Sequence, residues 1–388
     1  MHPEFQQLMS QATQLTRAGN LAEATAAIQA ALRGVQPAGR SDAGFSTQTF
    51  SRPFAQPAVS PYDGADVIDV EARVIPERAN SSSAAHASTS ADEHVTAPVR
   101  EPSLSGDTFT SGSFRNAAGL RHYKLYVPPG AADKPMPLVV MLHGCTQDAD
   151  DFAAGTAMND AAREQGFYVL YPVQSREANP QKCWNWFKHN HQEAGRGEPS
   201  ILAGMTREIM ASHNIDPRRV YVAGLSAGGA MAAILGRAYP ELFAAAGVHS
   251  GLAAGVAKDL PSALSAMNGA GNRTVPPGSS AVPTIVFHGD RDATVHPGNA
   301  DTVVAASAGA SARAESQRVA GLNNKRDSTK RVYRNQAGDV VAEYWTIHGA
   351  GHAWAGGTER GSYTDRAGPD ATAEMLRFFF EHPLAGRP

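Results

Sequence analysis

The spacing of apolar residues changes abruptly along this chain. Between residues 3 and 33, Phe5, Leu8, Met9, Ala12 and Leu15 recur at helical spacing. Leu21, Ala24, Ile28, Ala31 and Leu32 repeat it after the Gly19-Asn20 turn. The spacing predicts a small helical hairpin over 1–33, with no second copy to stack on, so a docking role is expected. From 34 to 106 the periodicity vanishes into Ser, Ala, Pro and Thr, as in residues 80–90. Such composition buries too little apolar surface to offset its ordering entropy, and a flexible low-complexity linker is expected. Only a short run such as Val67-Ile68-Asp69-Val70 breaks it.

Past residue 107 the pattern changes again. Residues 121–127 alternate and stop at Pro128-Pro129, as a half-buried strand would. Residues 138–142 are a continuous apolar run, the mark of a strand covered on both faces, and 167–171, 219–223 and 284–287 repeat the type. Helix-compatible stretches lie between them, at 150–165, 201–213 and 227–239. Residues 343–347 read as a late strand, and Asp370 as the N-cap of a final helix carrying Met375, Leu376, Phe378 and Phe379. Strands alternating with helices predict an α/β domain over 107–384, with a mostly parallel sheet between helical layers.

One junction carries chemistry. The run Tyr221-Val222-Ala223 leads into Gly224-Leu225-Ser226-Ala227-Gly228-Gly229, and Ala-rich sequence follows. Strand, sharp turn and helix around Gly-x-Ser-x-Gly is the nucleophile elbow of α/β-hydrolases. Ser226 is therefore the candidate nucleophile, and a serine hydroxyl needs a general base beside it. His352, in Gly349-Ala350-Gly351-His352-Ala353-Trp354, is the candidate base; His348 sits at the strand end and His382 in the last helix. The acid should come from His288-Gly289-Asp290-Arg291-Asp292. Asp290 and Asp292 are hardly separable from local sequence, since Asp290 can instead close the turn by accepting backbone N–H bonds. The order Ser226, Asp292, His352 is the α/β-hydrolase order. Oxyanion donors are expected from the Ala227 N–H and from the turn His143-Gly144-Cys145, with Cys145 preferred and Gly144 the alternative. Trp184, Trp186 and Trp354 are candidate substrate-binding walls, with core packing as their other reading.

Composition narrows the class. The net charge of −3 over 388 residues, with Lys and Arg scattered, gives no basic stripe for nucleic acid. No apolar run is long enough for a bilayer, and the first residues lack a basic region followed by an apolar one. A cytoplasmic, granule-associated placement is the expectation. Two cysteines, Cys145 and Cys183, make neither a disulfide scaffold nor a four-cysteine zinc site. A bridge between them would tie the aromatic loop to the oxyanion turn, and the sequence leaves it open. No metal or organic cofactor is expected.

Five segments together resemble esterases of the poly(3-hydroxybutyrate) depolymerase type, which are related to feruloyl and acetylxylan esterases. They are 142–147 (LHGCTQ), 183–186 (CWNW), 224–229 (GLSAGG), His288-Gly289-x-x-Asp292-x-x-Val295 and Gly351-His352-Ala353-Trp354-x-Gly356-Gly357. The resemblance spans about 110–382, places the acid at Asp292 and gives Cys145 an oxyanion role. It implies hydrolysis of a polyester or its oligomers through an acyl-enzyme, on intracellular granules or in solution. A feruloyl- or acetyl-type esterase is the alternative, and a granule-binding adaptor with an inert hydrolase domain is a third.

Overall fold

A computed structural model describes residues 106–270, 276 and 282–384. The helical hairpin and linker expected over 1–33 and 34–106 lie outside the described residues, apart from Gly106. Ten strands form one sheet in the order β1-β2-β4-β3-β5-β6-β7-β10-β9-β8. They are β1 (Thr108–Asn116), β2 (Gly119–Val127), β3 (Met136–Leu142), β4 (Tyr168–Val173), β5 (Ile215–Leu225), β6 (Ala245–His249), β7 (Thr284–Gly289), β8 (Arg313–Val319), β9 (Ser328–Arg334) and β10 (Val340–Ile347). The six central strands, from β4 to β10, pair in parallel, while β1, β2, β9 and β8 pair antiparallel at the two sides.

The continuous apolar runs have a simple cause. In β3, Leu138, Val140 and Leu142 enter one core, and Val139 and Met141 the other. A period of two thus sends alternate residues into two buried layers. The first layer is closed by α3 (Gly197–Ser212) and α4 (Ala227–Ala238), through Leu202, Met205, Ile209, Met231 and Leu235. The second is closed by α1 (Ala149–Thr156), α2 (Met158–Gln165) and α7 (Ala371–Glu381), where Phe379 stacks on Tyr221 at 4.9 Å. Asp370 caps α7 by accepting the Ala373 N–H at 2.9 Å. The stretch 150–165 is two helices rather than one, broken where Ala157 takes a left-handed φ of 53°. Two more helices, α5 (Leu260–Met267) and α6 (Gly298–Ala308), flank the connection into and out of β7.

Parallel strands bring their C-terminal ends to one edge. Leu142 pairs with Gly224, Leu225 with His249, His249 with Phe287, and Gly289 with Ile347. The turns after β3, β5, β7 and β10 therefore open side by side. Among the described residues no helix is long and apolar enough to cross a membrane.

Candidate active site

Ser226 follows β5 and opens α4, with φ 59° and ψ −119°. A serine held there is strained backbone of the kind concentrated at functional turns. Its N–H donates to the His249 carbonyl and its carbonyl accepts from the Ala230 N–H, both at 2.9 Å. Gly224 and Gly228 are glycine because nothing larger fits. A Cβ on Gly228 would collide with the Leu142 carbonyl oxygen, and one on Gly224 with the Gly228 backbone. The turn after β3 thus packs directly on the start of α4, and Gly144 lies against Ser226 Cβ.

Asp292 and His352 are brought together: His352 Nδ1–H donates to Asp292 Oδ2 at 2.7 Å, leaving Nε2 as the free ring position. Asp292 Oδ1 accepts the Thr294 and Val295 N–H groups, each at 2.9 Å. Oδ2 also faces His288 Nε2 at 3.3 Å. Burial opposes the charge of Asp292, but His288, His352 and the Val295 amide outweigh it and hold the carboxyl far below its ordinary range. Asp290 belongs to a separate surface pair, accepting from Gly349 N–H at 2.7 Å and His348 Nδ1 at 3.0 Å. Ser226 Oγ makes no hydrogen bond to His352 among the described contacts; such contacts tighten when substrate binds.

The turn at 143–146 is fixed from several sides. A disulfide joins Cys145 to Cys183. Thr146 N–H donates to Gln181 O at 2.7 Å, and the Gly144 N–H donates to Gln147 Oε1 at 2.9 Å. With Gly144 so engaged, the N–H groups of Cys145 and Ala227 have no partner among the turn and side-chain hydrogen bonds of the described residues. His143 accepts the Gln174 N–H at Nε2 and donates from Nδ1 to Gly144 O at 2.7 Å. Burial pushes its pKa down to about 4, so the ring is neutral.

Sequence reasoning missed two supports. His249 is fully buried between Phe287 and Trp354, and accepts the Ala355 N–H at 3.0 Å. Burial, with His288 and His352 nearby, pushes its pKa well below the ordinary value. It ties the β5–β6 end to the loop carrying His352. The second is Glu198, the buried first-turn acid of α3. It accepts from Arg121 at 3.0 Å, from Asn185 N–H at 2.7 Å and Nδ2 at 2.8 Å, and from Gln174, which also holds Cys183 O. The signal was one acid at the head of an apolar helix, too little to find partners scattered from 121 to 191. Burial opposes its charge, but His191, Gln174 and Asn185 prevail and bring the pKa from 4.5 down to about 2.

A lowered carboxyl pKa stabilises the fold above the unfolded value and is lost as pH falls through the folded one. Glu198 therefore contributes about 3 kcal/mol at neutral pH, lost between about pH 4.5 and pH 2. Glu198→Gln is expected to lower the unfolding free energy by that order at pH 7, and the gap from the unmodified protein should close across this window. Urea titrations at several pH values measure it; a gap constant with pH would refute the assignment.

The tryptophans are buried, as their core-packing reading expects. Trp184, Trp186 and Trp354 are 0 %, 5 % and 1 % exposed. Trp354 stacks on His249, packs edge-on to Phe152 and donates Nε1–H to Thr372. Trp186 packs edge-on to Phe187, and Trp184 tilts against His143. All three rings are packed in the core clusters.

Comparison with known proteins places this architecture. The family model described as "Esterase PHB depolymerase" matches residues 121–339, more than half the chain. Poly(3-hydroxyalkanoate) depolymerase C of Paucimonas lemoignei is 32% identical over 270 residues, covering 66% of this chain and 63% of that protein. The probable acetylxylan esterase A of Neosartorya fischeri is 31% identical over 219 residues, covering 49% and 57%. Feruloyl esterase B of Neurospora crassa is 35% identical over 151 residues, covering 38% and 50%. The chain thus spans between half and just under two thirds of the length of these relatives. Among solved structures, an acetyl xylan esterase from Aspergillus awamori superposes with TM-score 0.50 at 21% identity, covering 60% of this chain and 89% of that one, a likeness of fold. With its elbow, its paired Asp and His and its α/β-hydrolase sheet, the chain belongs to the esterase PHB depolymerase family.

Proposed function

We propose that the protein is a serine ester hydrolase acting on poly(3-hydroxybutyrate) or its oligomers. The observation that carries the reading is the Asp292–His352 hydrogen bond of 2.7 Å, on the turns after β7 and β10, at the same sheet edge as the Ser226 elbow. Ser226 Oγ attacks the ester carbonyl while His352 Nε2 takes its proton. Asp292 holds the imidazole in the right tautomer and stabilises its cation. The N–H groups of Cys145 and Ala227 donate hydrogen bonds to the oxyanion that develops from the carbonyl oxygen, at the positive end of α4. His352 returns the proton to the leaving alkoxide, giving an acyl-Ser226 ester. A water molecule, deprotonated by His352, then releases the acid and regenerates the serine.

The polyester assignment is supported by family membership and by the depolymerase named among the relatives. A feruloyl or acetyl ester substrate is the second reading, favoured by the names of the other relatives. Initial rates on 3-hydroxybutyrate oligomers, amorphous poly(3-hydroxybutyrate), methyl ferulate and p-nitrophenyl butyrate separate them. Turnover of the oligomers above the ferulate is expected. Preference for ferulate or acetyl esters would move the substrate, and failure on all four would leave an adaptor.

A further inference from the structure

With the three tryptophans packed in the core, an exposed aromatic stands at the same edge. Tyr363 is 47 % exposed, and its φ is 52°. A bulky residue takes that left-handed conformation at a cost that glycine would not bear. Its backbone is pinned on every side. The Tyr363 carbonyl accepts the Trp354 N–H at 2.7 Å, and Thr364 pairs with Trp354 in a short parallel ladder. Ser362 N–H donates to Asp151 at 2.8 Å. Gln147 links Ser362 O, at 3.2 Å, to the Gly144 N–H. The segment is thus braced against both the loop that follows His352 and the turn that carries Cys145, while the ring stands in solvent.

The hydroxyl is barely engaged. Tyr363 Oη lies 3.4 Å from Thr146 Oγ1, at the long end of hydrogen-bond range. Thr146 already donates its proton to Cys145 O at 2.6 Å, so the phenol is the donor in this weak contact. A strained backbone, a free ring face and a loosely held O–H, one residue from the candidate oxyanion donor, form an amphipathic contact with no use inside the fold.

We propose that Tyr363 is a specificity-determining residue that binds the ester chain beyond the scissile bond. This rests on the serine-esterase reading above. A polyester alternates short hydrocarbon segments with carbonyl acceptors. The ring covers a hydrocarbon segment, and the phenol O–H turns from Thr146 to the next ester carbonyl. A short acetyl ester has no such repeat to reach it.

The test compares Tyr363→Phe, Tyr363→Ala and Tyr363→Gly on a linear 3-hydroxybutyrate trimer and on p-nitrophenyl acetate. The readout is the ratio of the two kcat/KM values. We expect Tyr363→Ala to lower that ratio about tenfold, mainly through the trimer KM. Tyr363→Phe, which keeps the ring, should lower it about threefold. Tyr363→Gly should match Tyr363→Ala in the ratio and unfold at the same or a higher temperature, since glycine relieves the backbone. An unchanged ratio, from equal loss on both substrates or from none, overturns the proposal, as does a lower melting temperature for Tyr363→Gly. If the unmodified enzyme cleaves p-nitrophenyl acetate but not the trimer, the polyester reading falls and this inference with it. If it cleaves both and the ratio stays fixed, only the role of Tyr363 falls.

Discussion

Ser226→Ala is expected to cut esterase turnover about 10⁶-fold and to abolish covalent labelling by a fluorophosphonate. The size of the effect follows from the arrangement at the elbow. Replacing the hydroxyl removes the atom that forms the acyl bond, and no neighbouring group can substitute. The fold should survive, because Ser226 is held by its backbone: its N–H bonds His249 and its carbonyl bonds Ala230. Its side chain makes no hydrogen bond among the described residues that the mutation could break. Circular dichroism and melting temperature serve as controls. Labelling that persists in the variant would move the nucleophile elsewhere.

Asp292→Asn should lower kcat about 10⁴-fold, while Asp290→Asn should cost less than about threefold. An amide at 292 can donate to His352 Nδ1, which would turn the imidazole to the wrong tautomer and leave its cation unsupported. Asp292 is buried, with both oxygens engaged. Asp290 is more than a third exposed and bonds His348 and Gly349, away from His352. Steady-state rates of the two folded variants decide the matter, and the opposite ranking would transfer the acid to Asp290.

The sequence marked the turns at this edge better than the strands that frame them. That Ser226, Asp292 and His352 would sit on turns at the strand ends was legible because glycines and short apolar runs mark sharp turns after buried strands. The choice between Asp290 and Asp292 was not, because two residues on one turn differ only in which way the backbone aims them. The N–H groups of Thr294 and Val295, which capture Asp292 Oδ1, are a tertiary fact. β6 escaped notice because Ala245, Ala246 and Gly247 carry almost no periodic signal; it is a strand because β5 and β7 pair with it on both sides. β1 was missed for a related reason, since its polar residues gain their place from pairing with β2. The break at Ala157 has no marker, as alanine favours helix and is turned there by packing. The tryptophans kept two readings in the sequence because an aromatic beside a catalytic motif looks the same whether it faces ligand or core.

β8 has a consequence of another kind. Among the described residues it pairs only with β9, and Arg313, Ala314, Glu315, Ser316, Gln317 and Arg318 are all exposed along it. One side of this strand offers unpaired backbone groups on which a second copy could extend the sheet. Arg313, Glu315 and Arg318 make that stacking costly, since adding another strand would crowd and desolvate three charges. The charges that oppose edge-to-edge association at this border lie far in sequence from Ser226. The colloidal and chemical properties of the molecule can change independently.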